Sequence, residues 1–147
     1  MTEIEFHANI ADKIHFSCRL LRKVMRSGAR AIVVGQPKIL NDLDVLLWTF
    51  SATEFLPHCL QTAPDLIKEA SPLLLVEQLE SQGEFMPNTV LVNLGQQVPA
   101  KFEQFERLLE IASVNPDDRQ AALVRWKHYK QRGYSLKRHD ATAGAIV

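Results

Sequence analysis

Cysteine is scarce in this chain of 147 residues, which contains two, Cys18 and Cys59. Two isolated thiols exclude a disulfide framework of the kind that staples small secreted domains, and they exclude a zinc site built from paired cysteines. The histidines do not supply the missing ligands, because none of them falls into metal-ligand spacing with another histidine or with a cysteine. The sequence therefore predicts no metal site, and each thiol is expected to be reduced and buried.

Long apolar runs are also absent, since no stretch approaches the roughly 20 residues that a membrane-spanning helix needs. The amino terminus, MTEIEFHANI, lacks a basic segment followed by an apolar one, so no signal peptide is visible. The formal net charge is zero, because 17 basic and 17 acidic side chains cancel. That balance argues against coating of nucleic acid or membrane by bulk electrostatics. We expect a cytoplasmic protein without membrane contact.

Catalytic signatures are the last class that the sequence lacks. The segment VVGQPK at 33–38 has one glycine and matches no phosphate-binding loop, and Pro37 removes a backbone donor that such a loop would use. No G-x-S-x-G elbow supports a hydrolase. The paired carboxylates are expected to be solvated helix positions rather than an acid and a base: Asp42, Asp44, Asp117 and Asp118. We expect neither catalytic residues nor a cofactor.

The cancelled net charge conceals an asymmetry along the chain. Residues 1–118 carry 16 acidic and 10 basic side chains, a balance of −6, whereas residues 119–147 carry 7 basic and 1 acidic, a balance of +6. The charge that recruits an acidic partner is therefore concentrated at the C-terminal end.

Apolar periodicity switches between strand and helix along the chain, which predicts an α/β domain with a largely parallel sheet. Strands are predicted at Glu3–Ala8, Ala29–Val34, Pro72–Val76, Thr89–Leu94 and Glu110–Val114. Helices are predicted from Asn9 or Asp12 to Ser27, from Pro37 to about Trp48, at Phe102–Leu109 and within Asn115–Tyr134. An irregular connection is expected at 61–71 and a turn at 81–88. A single domain is expected over 1–138, with 139–147 as a frayed tail.

The last of these helices carries the most informative pattern. Asn115 and Pro116 suit its first turn, and Gly133 suits a left-handed cap at its end. One helix face collects Arg119, Leu123, Trp126 and Lys130, which are spaced i, i+4, i+7 and i+11. A large aromatic side chain flanked by cations suits a partner that carries carboxylates and an apolar side chain. The alternative, which residue types alone favour, is that Trp126 and Tyr129 are core residues and the cations only solvate the outer face.

Two blocks of the sequence are distinctive: the first is Trp48 followed by Glu54–His58, EFLPH, and the second is Arg125–Lys130, RWKHYK, leading to Gly133-Tyr134. Together they resemble a known family, the chi subunit of bacterial DNA polymerase III. The step Arg26-Ser27-Gly28-x-Arg30 into an apolar strand is similar too, and the likeness extends to about residue 137. It implies a three-layer α/β/α fold, Rossmann-like or P-loop-like but without a phosphate-binding loop. It also implies an accessory subunit of the clamp-loader complex that has no activity of its own.

The resemblance implies two protein partners and no direct DNA contact. One is the psi subunit, for which Phe55 and Leu56 are the contact positions carried over. The other is the acidic C-terminal tail of the single-stranded-DNA-binding protein, which ends in a hydrophobic residue. The residues expected to grip that tail are Trp48, Arg119, Arg125, Trp126, Lys127 and Lys130. This chain departs from the family at Leu123, where a basic residue is common.

Two other functions remain open at the level of the sequence. The same basic and aromatic helix would also suit a direct single-stranded nucleic-acid-binding module, because aromatic rings stack on bases. The acidity of residues 1–118 works against that reading. A nucleotide-using enzyme rests on fold-level analogy alone.

Overall fold

The computed structural model describes residues 2–49, 58–60, 72–77, 79 and 88–141, and within these ranges it contains one seven-stranded sheet. The strands are β1 Glu3–Ile10, β2 Arg30–Val34, β3 His58–Leu60, β4 Leu73–Val76, β5 Thr89–Asn93, β6 Arg107–Ser113 and β7 Leu136–Asp140. They lie in the order β3-β4-β2-β5-β6-β1-β7, and every adjacent pair is parallel. The helices are α1 Lys13–Arg26, α2 Pro37–Thr49 and α3 Pro116–Gln131, with a short 3-10 turn at Phe102–Gln104.

One face of this sheet is covered by α1 and α2. Their apolar side chains, including Leu21 and Leu43, pack with inward residues of the strands such as Val33 into one core cluster. The Asp12 side chain caps α1 by accepting a hydrogen bond from the His15 amide at 3.0 Å. Gly28 follows the helix with φ +85°, the left-handed conformation that glycine adopts without strain.

The opposite face is covered by α3 and the 3-10 turn. Tyr129 and Phe102 belong there to one core cluster with Ile32 and Val34, the strand residues that alternate with those facing α1 and α2. Both faces of the central strands are therefore buried, as expected for a parallel sheet. The predicted three-layer α/β/α fold with a mostly parallel sheet is confirmed.

Most predicted elements are present, but the helix predicted at Phe102–Leu109 is wrong. Only one 3-10 turn forms, and Leu108 and Leu109 belong to β6. Leu108 packs in the cluster beneath α3, whereas Leu109 packs in the cluster beneath α1 and α2. A strand buried on both faces has no alternating pattern, so its apolar run is easily assigned to a helix. The strand predicted at Glu110–Val114 is the second half of β6.

Both edge strands of the described sheet, β3 and β7, lack an apolar pattern that would predict them from the sequence. Strand β7 includes His139 and Asp140, two residues that we expected in a frayed tail, and it pairs with β1 along its whole length. Its side chains are mostly exposed and polar, so no apolar pattern marks it. Strand β3 has three residues and follows Pro57 directly. The connection predicted at 61–71, and all but the last residue of the turn predicted at 81–88, lie outside the described residues. None of the described helices is long and apolar enough to span a membrane.

Candidate functional site

A pocket of about 630 Å³ opens between α3 and the carboxyl ends of β1, β6 and β7. Its floor includes Phe6, Ala8 and Ala112, and its walls include residues of α3 and β7. Helix α1 follows β1 and α3 follows β6, and these two helices cover opposite faces of the sheet. Adjacent parallel strands whose helices diverge in this way leave a crevice at their carboxyl ends, which is where open α/β sheets bind ligands.

Helix α3 forms as the sequence predicts. The Asn115 side chain accepts a hydrogen bond from the Asp117 amide at 2.9 Å, and Pro116 occupies the first helical turn. Gly133 lies just beyond the last turn with φ +84°. These caps fix where the helix begins and ends, and so they fix which of its side chains face the pocket.

Three of the residues predicted on one face of α3 line the pocket together: Arg119, Leu123 and Trp126. Trp126 is half-buried, and its ring stands edge-on to Phe6 with centroids 5.2 Å apart. It therefore packs on the core with one side and forms part of the pocket wall with the other. Leu123 is 46% exposed at the rim. Lys130 is exposed beyond Trp126 on the same helix face and does not reach the lining.

The cations of this pocket come from two elements. Arg119 stands on α3, and Arg138 stands on β7, where its guanidinium pairs with Asp140 at 3.1 Å. Asn9 holds the same carboxylate by donating a hydrogen bond of 2.9 Å. None of the described residues that line the pocket is acidic. The sequence analysis missed Arg138 because it missed β7.

The prediction that Arg125 faces a ligand at the surface is wrong. Its side chain is 1% exposed, and its Nε donates to the Glu110 carboxylate at 2.9 Å. Its Nη1 donates to the backbone oxygen of Gln96 at 3.0 Å. The Glu110 carboxylate also accepts hydrogen bonds from the Tyr129 hydroxyl at 2.5 Å and from the Asn93 side-chain amide at 3.0 Å. Arg125 therefore anchors α3 to the sheet from inside.

Burial raises the pKa of the Glu110 carboxyl, and the Arg125 guanidinium and the Tyr129 hydroxyl oppose that shift. Burial also raises the pKa of the Tyr129 phenol, and the Glu110 carboxylate adds to the effect. The phenol therefore stays protonated and donates to Glu110 at neutral pH. A sequence signal for this network exists: Arg125 and Tyr129 are four residues apart on one helix, and Glu110 is a lone acid within an apolar strand.

The structure does not bring Trp48 to this pocket. Trp48 lies near the end of α2, which packs on the other face of the sheet beside β3 and β4. Five strand spacings, about 24 Å, separate β3 from β1. The expectation that Trp48 and Trp126 line one pocket is therefore wrong.

Trp48 instead belongs to a separate surface at the β3 edge. Its side chain is 52% exposed, and its ring centroid lies 4.5 Å from that of His58. His58 is buried and contacts the Asp44 carboxylate at 3.0 Å. Lys127 is exposed on α3 outside the pocket lining. Phe55 and Leu56 lie outside the described residues.

Comparison with known proteins gives one family. Residues 1–137 match the model of the family described as DNA polymerase III chi subunit, HolC. A curated relative, DNA polymerase III subunit chi of Pseudomonas aeruginosa, is 27% identical over 144 residues, which cover 95% of this chain and 96% of the relative. The family match includes Trp48 and every described lining residue of the pocket except Arg138, which follows its last residue.

Proposed function

This chain belongs to the DNA polymerase III chi subunit family, and we propose that its pocket grips the acidic C-terminal tail of the single-stranded-DNA-binding protein. Membership makes the chain an accessory subunit of DNA polymerase III in DNA replication. In this proposal the protein has no catalytic activity of its own. It tethers the clamp-loader complex, through the psi subunit, to coated single strands.

The observation that carries the proposal is the chemistry of the pocket. Apolar residues and the Trp126 ring line the pocket together with two arginines, Arg119 and Arg138, and no acidic residue is among the described lining residues. A hydrophobic side chain at the end of a tail fits the floor, and the carboxylates of the tail fit the arginines. Exposed charge pairs contribute a few tenths to about 1 kcal/mol each, so the aromatic wall must supply much of the affinity. Lys127 and Lys130 extend the positive surface along α3 for acidic residues further up the tail.

The psi subunit fits the surface at the β3 edge. Val45 and Trp48 are 64% and 52% exposed on neighbouring turns of α2, which makes an apolar patch at the surface. Leu56 and Phe55, the contact positions that the family resemblance implies, precede β3 by two and three residues in the sequence. The two proposed surfaces lie on helices that cover opposite faces of the sheet, which allows both partners to bind at once.

Titration of a peptide that copies the tail, at low and at moderate salt, tests the pocket. Binding should weaken as salt rises, because the charge pairs are exposed. Arg119→Ala and Arg138→Ala should each weaken binding several-fold, and Trp126→Ala should abolish it. Arg19→Ala is the matched control, because Arg19 is an exposed arginine on α1, on the far face of the sheet. Tail binding by Arg119→Ala, Arg138→Ala and Trp126→Ala with wild-type affinity would refute the proposal.

The psi surface has a reciprocal test. Trp48→Ala should weaken capture of psi and leave affinity for the tail peptide unchanged, whereas Arg119→Ala should do the opposite. Loss of both activities in either variant would contradict two independent surfaces. Tight binding of a bare oligonucleotide with a steep salt dependence, without binding of the peptide, would favour the nucleic-acid-binding module instead.

A further inference from the structure

Three potential metal ligands meet at the junction of β1 and β7. Glu5 and His7 are two residues apart on β1 and so point to the same side of the sheet, while the sheet register places His139 of β7 directly opposite His7. The ligand atoms of the three side chains all lie within 4.8 Å of one another. The sequence analysis found no metal spacing among the histidines because these two are 132 positions apart and meet only through β7.

The state of His7 is unusual for a structural histidine. It is 8% exposed, and its Nε2 is buried without a hydrogen-bond partner among the described residues. Its ring lies between two others, stacked on His139 at 4.8 Å and tilted against Phe16 at 5.3 Å. Buried polar atoms are almost always partnered, so an orphaned ring nitrogen on a histidine that lies beside two other potential ligands indicates a missing partner.

We propose that Glu5, His7 and His139 bind a zinc ion. Two imidazole nitrogens and a carboxylate oxygen, with water in the fourth position, form one of the donor sets that zinc accepts in proteins.

Zinc binding requires a small contraction of the cluster. Ligands at about 2.1 Å from a tetrahedral zinc lie about 3.4 Å from each other. His139 is exposed on an edge strand, so its ring is able to turn toward His7. Two nearby cations oppose binding of the zinc ion. The positive charge of Lys23 on α1 is close enough to His7 to affect it electrostatically, and Arg107 of β6 forms an ion pair with Glu5 at 3.5 Å. Affinity should therefore be lower than that of a site made of cysteines.

Bound zinc would tie the last strand to the first. Among the described strands, β7 pairs with β1 alone, so a metal bond through His139 would add a second attachment to this edge strand. Arg138, the adjacent residue, lines the pocket on the other face of the sheet. Zinc would therefore fix the strand that forms one wall of the pocket, although the metal site itself does not depend on what the pocket binds.

Calorimetric titration of the tag-free, chelator-treated protein with Zn²⁺ tests the proposal without the tail peptide. One zinc should bind per chain, and it should raise the melting temperature in a way that excess chelator reverses. His139→Ala should reduce zinc affinity at least about tenfold, and because His139 is exposed this variant should fold. Glu5→Gln should reduce affinity as well.

His15→Ala is the matched control, since His15 is an exposed histidine on α1 outside the cluster. It should bind zinc as the wild type does. Absence of zinc binding by the wild type would overturn the proposal, and so would equal affinity in the wild type and His139→Ala. Neither result would affect the test of tail binding.

Discussion

Helices α1 and α3 cover opposite faces of one sheet, yet they bury opposite kinds of side chain. The buried residues of α1 are mainly apolar: Phe16, Ser17, Cys18, Leu20, Leu21 and Val24. Those of α3 are mainly polar: Asp118, Ala122, Arg125 and Tyr129. In addition, α3 leaves Leu123 and Val124 exposed at 46% and 59%. Helix α1 is thus held mainly by hydrophobic burial, whereas α3 also relies on buried polar contacts and leaves apolar side chains exposed at the surface.

One ion pair joins the two helices across the carboxyl edge of the sheet. Lys13 in the first turn of α1 contacts both carboxylate oxygens of Asp118 in the first turn of α3 at 3.2 Å. Asp118 also accepts from the Ser113 amide at the end of β6 at 2.6 Å. The contrast between apolar burial by α1 and polar burial by α3 can therefore be tested with substitutions in α3, in α1 and in the ion pair that joins them.

The largest loss of stability is expected for a substitution of a buried polar residue of α3. Arg125→Met removes the cation from the buried pair and leaves the Glu110 carboxylate without its charged partner, which should lower the free energy of unfolding by about 3–5 kcal/mol. Urea denaturation measures this. Arg119→Met, at an exposed arginine of the same helix, should change stability by no more than about 0.5 kcal/mol.

A double variant sharpens this prediction. Glu110→Gln combined with Arg125→Met removes both charges and keeps an amide oxygen for Tyr129 and Asn93. It should be less destabilised than the sum of the two single variants, because no unpaired charge stays buried. Equal stability losses in Arg125→Met and Arg119→Met would show that the polar network does not hold α3.

The matching test on α1 is the loss of an apolar side chain. Leu21 is fully buried in the cluster beneath α1 and α2, so Leu21→Ala should cost about 2–5 kcal/mol through lost burial and the cavity that remains. Leu123→Ala on α3 should cost about 0.5 kcal/mol or less in the same denaturation experiment. Similar costs for the two leucines would remove the contrast between the helices.

The stability that the Lys13–Asp118 ion pair contributes should depend on pH. Burial alone would raise the pKa of Asp118, but the Ser113 amide and the Lys13 ammonium outweigh it, and the pKa lies below its ordinary value of 3.8. A depressed pKa contributes stability above the unfolded value, and that contribution is lost as pH falls through the folded value. Asp118→Asn should therefore cost about 1.5–3 kcal/mol at neutral pH. The difference from the wild type should shrink below about pH 4.

The neighbouring residue gives the control for this pH dependence. Asp117 lies in the same helical turn but is exposed, so Asp117→Asn should cost only the interaction with the helix dipole, about 0.3–1 kcal/mol. A constant difference between the wild type and Asp118→Asn from pH 7 to pH 3 would show that the carboxylate charge of Asp118 does not stabilise the fold.

The contrast between the helices also explains how far sequence reasoning reached. The caps and the helix spacing of α3 follow from local physics, so Arg119, Leu123 and Trp126 were correctly placed on one face. Whether a cation on that helix faces water depends on what lies beneath it, and Arg125 meets an acid from β6 that is 15 positions away in the sequence. The pocket wall at Arg138 depends on strand pairing with β1, for which the polar sequence of β7 gives no local signal. Long-range pairing therefore decided what the local pattern left open.

The smallest effect on stability is expected at Leu123, which is exposed at the rim of the pocket. Leu123→Arg should change the free energy of unfolding by about 0.5 kcal/mol or less, because the side chain is exposed. The new cation would stand at the pocket rim, between Arg119 and Trp126 along the helix. At low salt it should therefore strengthen binding of the acidic tail peptide by about 0.3–1 kcal/mol, a factor of about 2–5. Val124→Arg adds the same charge one residue further on, outside the pocket lining, and should increase the affinity for the peptide by less. Equal increases in affinity in both variants would mean that the peptide responds to the overall charge of α3, which would contradict the pocket as its binding site.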